Sequence, residues 1–250
     1  MKYCGLIPAR YNSSRFPGKA LCDLNGKTMI RRTFESVSKW NKWEKVYVVT
    51  DDKRIAKECK KYSIPYIITS ADNPDGIDRC AEAAKKIYDD ESLLFDRYII
   101  VQGDEPMFNS KTLDVDLSSD IIGFYTKAIT EDLNNPNVVK VVVDRNGRAI
   151  YLSRLSIPYE ASITRRNYSP LKAIKQTGVY SFTYNSLQTF KEIGVSYLES
   201  VEGIGLLRLI EQDISVQMKY TPFQVKDVNT KEDQVKLNLY LSNREGNIND

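Results

Sequence analysis

The chain has 250 residues, of which 42% are hydrophobic and 28% charged, enough to bury the core of one large α/β domain. Its 36 basic against 33 acidic side chains nearly balance, and no long basic tract marks a general nucleic-acid binder. It has no histidine, which removes Ser-His triads and histidine-based zinc sites and leaves Lys, Arg, carboxylates or a hard metal ion to carry any chemistry.

Residues 2–7 read as a first strand, and the loop behind it is Pro8-Ala9-Arg10-Tyr11-Asn12-Ser13-Ser14-Arg15-Phe16-Pro17-Gly18-Lys19. Asn25-Gly26-Lys27 leads into a helix over residues 28–39, with Met29, Ile30, Phe34 and Val37 on one face. Residues 45–50 form a second strand, and Asp51-Asp52 caps a helix running to about Lys61. A short strand at 65–69, a helix at 76–88 and a hydrophobic strand at 96–101 follow, the last running into Gln102-Gly103-Asp104-Glu105-Pro106. Repeated βα units of this size predict a mostly parallel sheet flanked by helices.

The second half changes character. Residues 121–129 and 138–143 are strand-like, and Asp144-Arg145-Asn146-Gly147 predicts a hairpin with residues 149–153. The polar stretch 156–169 reads as an excursion, a lid or a subunit contact, and Arg165-Arg166 within it as a solvated pair. Short strands at 178–182 and 215–220 bracket a helix at 206–212. Thr230-Lys231-Glu232-Asp233 opens a last helix, and the tail beyond Ser242 is polar. The expectation is a single domain over 1–250 with a projecting subregion at about 144–182.

The four cysteines, Cys4, Cys22, Cys59 and Cys80, form no Cys-x-x-Cys pair. With no secretion signal evident, reduced thiols in a cytoplasmic protein are expected. No apolar stretch reaches about 18 residues, so no membrane insertion is expected.

Three cations stand out in the first loop. Lys19 follows Pro17-Gly18, a turn that can aim its amine, while Arg10 and Arg15 can fork across phosphate oxygens. A cationic loop between a first strand and a helix is where an α/β protein can hold a polyphosphate. Neither a Walker A loop nor a dinucleotide fingerprint is present. Asp104 sits past the C-terminal end of a buried strand, the edge where ligands bind in open α/β sheets. It suits a Mg²⁺ ion, and equally a cap or turn. Asp227 is a second metal candidate in a turn-prone segment. Pro74-Asp75-Gly76 lies at the mouth of a helix, able to bind an anion or base edge, or simply to cap. Arg154 could grip an acidic acceptor or be a surface arginine.

Together these motifs give a resemblance over roughly residues 2–240. The chain resembles the cytidylyltransferases that make CMP-activated acidic sugars, above all the 3-deoxy-manno-octulosonate (Kdo) cytidylyltransferases. Ile7-Pro8-Ala9-Arg10-Tyr11, Ser14-Arg15, Pro17-Gly18-Lys19, Asn25-Gly26-Lys27, Thr50-Asp51-Asp52 and Val101-Gln102-Gly103-Asp104-Glu105-Pro106 carry it. Pro136-Asn137, Val139-Lys140-Val141-Val142, Tyr151-Leu152-Ser153-Arg154 and Ile157-Pro158-Tyr159 extend it.

The resemblance implies a Rossmann-like nucleotidyltransferase fold with a small projecting dimerisation or lid region, and a homodimer. It implies Mg²⁺-dependent transfer of CMP from CTP to Kdo or a modified 2-keto sugar acid. Arg10, Arg15 and Lys19 would hold the phosphates. Ala9, Arg10, Ser14, Asp75, Gly76, Arg79 and Gln102 would line the nucleotide site. Gln102, Arg154, Gln176, Tyr180, Gly205 and Leu206 would mark the acceptor side, and Asp104, Asp227 and Asn229 the metal.

Departures from the family pattern fall on the nucleotide, acceptor and metal positions. Asp75 stands where the family has serine, Gln176 where it has a sugar-site histidine, and Gly205-Leu206 where it has Glu-Gln. Asn229 replaces the expected metal carboxylate, with Asp227 two residues earlier. These changes imply an acceptor other than plain Kdo, since a lost polar contact is costly for selectivity. Two alternatives follow: a different small anionic acceptor, or a catalytically weak nucleotide-binding protein.

Overall fold

The structure is a computed structural model that describes residues 1–13, 15–159, 173–224 and 226–246. Ser14, the Arg165-Arg166 pair and most of the polar excursion lie outside the described residues. The strands are β1 (Tyr3–Ala9), β2 (Asp23–Leu24), β3 (Lys27–Thr28), β4 (Trp43–Thr50), β5 (Tyr66–Ile68), β6 (Arg97–Val101), β7 (Ile121–Lys127), β8 (Lys140–Val143), β9 (Ala149–Ser153), β10 (Ile174–Phe182) and β11 (Gln217–Tyr220). The helices are α1 (Met29–Val37), α2 (Lys53–Lys61), α3 (Gly76–Glu91), α4 (Thr130–Leu133), α5 (Tyr184–Ile193), α6 (Tyr197–Glu202), α7 (Leu206–Ile210) and α8 (Lys231–Gly246). The chain divides into two compact units, Met1–Asp114 with Val225–Asp250, and Val115–Gln224.

In the first unit β6, β1, β4 and β5 pair side by side, all parallel. β6 is buried along its whole length, as its apolar run requires of a central parallel strand. Asp52 caps α2, accepting from the Arg54 amide at 2.8 Å. Asp75 caps α3, accepting from the amides of Ile77 and Asp78 at 2.7 and 2.8 Å. Thr230 and Asp233 cap α8 reciprocally. Val228, Leu237 and Leu241 then pack with Leu24 and Met29 into one apolar cluster.

The second unit mixes directions. β11 runs parallel to β7, while β10 is antiparallel to β7 and to β8, and β8 and β9 form the expected hairpin. β10 is longer than residues 178–182 suggest. Gly178 has φ +69° and the β7 register shifts between Gln176 and Tyr180, which breaks the sequence alternation. Helices α5 and α6 are additions to the sequence reading. A buried ion pair ties this unit together. Arg208 is fully buried and forks onto Glu199 at 2.7 and 2.8 Å, donates to the Phe190 carbonyl at 2.9 Å and stacks on the Phe190 ring.

The four cysteines are free thiols, three of them buried. Burial pushes the Cys22 thiol up to about 11 and Cys59 to about 12, so neither is a ready nucleophile. Among the described residues no helix is long and apolar enough to cross a membrane.

Candidate active site

The C-terminal ends of β1 and β6 lie side by side, because the two strands pair in parallel from Tyr3↔Arg97 to Leu6↔Ile100. The segments leaving them are strapped together. The Gly103 amide donates to the Pro8 carbonyl at 3.2 Å, and the Thr33 hydroxyl donates to the Gly103 carbonyl at 3.0 Å. A Cβ at Gly103 would stand 2.7 Å from the Pro8 oxygen, so this approach admits only glycine. The strap delivers Asp104 to the first loop.

That loop turns on Gly18, at φ +71°, whose amide donates to the Tyr11 carbonyl at 2.9 Å. Lys19 opens a short 3-10 turn directly behind it. Its Nζ donates to Asp104 Oδ2 at 2.6 Å, with the two side chains 15% and 25% exposed. Two residues 85 positions apart are thus an ion pair at the sheet edge. Arg10 and Arg15 are exposed at the same loop.

The segment before α8 closes on the pair. The Val228 amide donates to the Asp104 carbonyl at 3.1 Å. Asn229 is held by its backbone amide on Asp233 at 2.9 Å. Its Oδ1 accepts from Lys19 Nζ at 3.5 Å and from Arg15 Nη2 at 3.4 Å, while its Nδ2 donates to Asp227. Asn229 therefore bridges the cations to a carboxylate, a task its amide can perform and an aspartate cannot. Asp227 is pushed above the ordinary carboxylate range by desolvation and by the charge of Asp104. Burial, then the charges of Asp104 and Asp227, push Glu105 up much further. The carboxylates of Asp104 and Asp227 are hard oxygen donors of the chemical type a divalent cation takes.

The nucleotide-side residues show two situations. Ala9 is buried, and a Cβ at Gly76 would meet Pro8 at 3.3 Å and Gln102 Oε1 at 3.4 Å, so β1, α3 and Gln102 converge. Asp75 uses its carboxylate on the first turn of α3, the capping alternative. Arg79 is buried, bonding Thr69 Oγ1 at 2.7 Å and the Ser70 carbonyl at 3.3 Å, and pairing with Asp51 at 3.4 Å. It therefore works within the fold.

The acceptor-side residues lie in the second unit, except Gln102. The Arg154 guanidinium donates to the carbonyls of Glu202, Pro136 and Gly203 at 2.7, 2.8 and 3.1 Å. Gln176 Nε2 donates to the Tyr180 hydroxyl at 2.6 Å, and Gln176 Oε1 is buried with no partner among the described residues. Gly205 caps the short α7, and Leu206 is fully buried, close to Gly123. Leu206 thus serves the core. The sequence reading gave no role to Thr33 or Val228, which hold the Asp104 segment. Only the contacts across the fold reveal them.

A cationic loop whose Lys19 pairs with Asp104 at a parallel sheet edge is the kind of place where an α/β protein can hold a polyphosphate. The family model described as cytidylyltransferase matches residues 4–216. A 3-deoxy-manno-octulosonate cytidylyltransferase of Syntrophobacter fumaroxidans is 37% identical, over 93% of this chain and 94% of that protein. One from Thermodesulfovibrio yellowstonii is 35% identical, over 91% and 93%. A solved CMP:2-keto-3-deoxy-manno-octonic acid synthetase complexed with CTP is similar in structure, with TM-score 0.84 and 29% identity over 98% of this chain and all of that one. The chain belongs to the cytidylyltransferase family, among the 3-deoxy-manno-octulosonate cytidylyltransferases.

Proposed function

We propose that this protein transfers CMP from CTP to a modified 2-keto sugar acid related to Kdo, releasing pyrophosphate, with Mg²⁺ held by Asp104 and Asp227. The observation that carries the reading is the Lys19–Asp104 ion pair, backed by Asn229 and Asp227. Mg²⁺ would supply charge neutralisation and polarise the reacting phosphate. An acceptor hydroxyl oxygen bonds to the α-phosphorus of CTP, the bond to the β-phosphate oxygen breaks, and the hydroxyl proton leaves to solvent. Arg10, Arg15 and Lys19 offset the charge that gathers on the phosphate oxygens. Lys19 exchanges its Asp104 partner for a phosphate oxygen, which frees the Asp104 carboxylate. Asn229 offers one neutral oxygen and keeps Asp227 oriented. No step needs a nucleophilic side chain, consistent with a chain lacking histidine.

The modified acceptor is supported by the residues at the divergent positions. Leu206 is buried in the core and Gly205 has no side chain, so neither offers the hydrogen bond that Glu or Gln would. Gln176 Oε1, buried without a partner among the described residues, leaves an unmet acceptor at one of the expected acceptor positions, which a donor such as an amino group on the sugar would suit if the site opens to it. Pyrophosphate release should be followed with CTP against Kdo and its amino- and deoxy-modified analogues. We expect the best analogue to exceed Kdo in kcat/KM by about tenfold or more. Equal efficiency across the panel would contradict the selectivity, and no release with any acid would contradict the function.

A further inference from the structure

The Thr50-Asp51-Asp52 motif has no part in the site just described, yet its neighbour reaches that site. Asp52 not only caps α2 but also grips the Arg54 guanidinium, with Nε–Oδ1 at 3.0 Å and Nη2–Oδ2 at 2.6 Å. So fixed, Arg54 sits over the Tyr11 ring, its guanidinium carbon 3.2 Å from the ring centroid. The ring's edge is against Gly18: a Cβ there would stand 3.1 Å from Tyr11 Cζ and from its hydroxyl oxygen. Gly18 directly precedes Lys19.

We infer that Arg54 and Tyr11 are positioning residues for the phosphate loop, transmitting the fixed N-terminus of α2 to Lys19. This inference rests on the reading of that loop as the triphosphate site. A planar guanidinium held by a bidentate carboxylate is a rigid plate, and stacking on an aromatic face holds the ring in one plane. The ring in turn limits where the Pro17-Gly18 turn can go, and so where the Lys19 ammonium points. Arg54 itself is exposed and at the edge of the unit, so its removal leaves the core intact. The stack therefore contributes preorganisation, which shows as nucleotide affinity rather than as stability.

Three measurements on Arg54→Ala, Tyr11→Ala, Tyr11→Phe and the Arg54→Ala/Tyr11→Ala double variant test this. They are CTP affinity by calorimetry with Mg²⁺, the rate of tryptic cleavage after Arg15 in the free protein, and Tm. Arg54→Ala and Tyr11→Ala should each weaken CTP binding by about tenfold and speed cleavage after Arg15. Tyr11→Phe keeps the ring and should stay within about twofold of the parent on both readouts. The double variant should bind CTP no worse than the weaker single one, because both residues act through one contact. A fall in Tm with unchanged CTP affinity and cleavage would show a merely structural role and overturn the inference. So would multiplicative losses in the double variant. If the parent protein binds no CTP, the functional reading fails, and the cleavage rate alone decides whether the stack orders the loop.

Discussion

Replacing Lys19 with methionine is expected to lower kcat by about 10²–10³-fold while the protein stays folded. The ammonium donates to Asp104 Oδ2 at 2.6 Å. It sits where phosphate charge must be met. Methionine keeps the stem's length and apolar packing but cannot meet developing charge on an oxygen. The loss should appear in kcat more than in acceptor KM, because the contact strengthens as the transition state forms. Stopped-flow or coupled pyrophosphate assays, with circular dichroism to confirm folding, check it. A variant turning over within about threefold of the parent would remove Lys19 from the mechanism.

A second large effect concerns stability. Arg208→Ala should cost about 3–5 kcal/mol, because it leaves the buried Glu199 carboxylate without its forked partner and opens space beside Phe190. In a protein of this size the shift in Tm is on the order of 10 °C. Thermal unfolding followed by near-UV circular dichroism measures it directly. Arg208→Lys should recover only part of the loss, since an ammonium cannot satisfy two carboxylate oxygens and the Phe190 carbonyl in one plane. A change of less than about 1 kcal/mol on Arg208→Ala would show that water or a neighbouring group replaces the guanidinium at low cost.

The first unit was legible because its signals are local. Apolar runs end at turn residues, Asp52 and Asp75 cap the helices that start at the next residue, and Thr230 and Asp233 cap α8 as their spacing suggests. The position of Asp104 past a buried strand followed from the same logic. That the Lys19 loop faces it followed too, but the individual contacts did not. Lys19, Asn229 and Asp104 meet only because β1 and β6 are parallel neighbours and the segment before α8 folds back, and no local pattern encodes a contact across such separations. The bridging role of Asn229 is equally invisible, because it depends on which amide atom faces the cations.

The second unit was harder for physical reasons of its own. Gly178 interrupts the alternation of β10 and made a nine-residue strand look like five. Helix α6 did carry a readable signal, the Ser196-x-x-Glu199 capping box, now seen with both hydrogen bonds. α5 is capped by Thr183, whose side chain accepts from the Ser186 amide, a weaker cue. At the acceptor positions the family pattern pointed to Arg154 and Leu206 as ligand contacts. Their chemistry in this fold is carbonyl bridging and core packing, roles that depend on neighbours distant in sequence.

Positional labelling of the nucleotide tests the central claim most directly. With CTP carrying ³²P at the α-phosphate, turnover with the preferred sugar acid should place the label in the sugar product. With the label at the γ-phosphate, it should leave entirely as pyrophosphate. Transfer of the γ-label to the acceptor, or release of γ-label as inorganic phosphate without sugar–CMP, would contradict a cytidylyl transfer at the Lys19–Asp104 site.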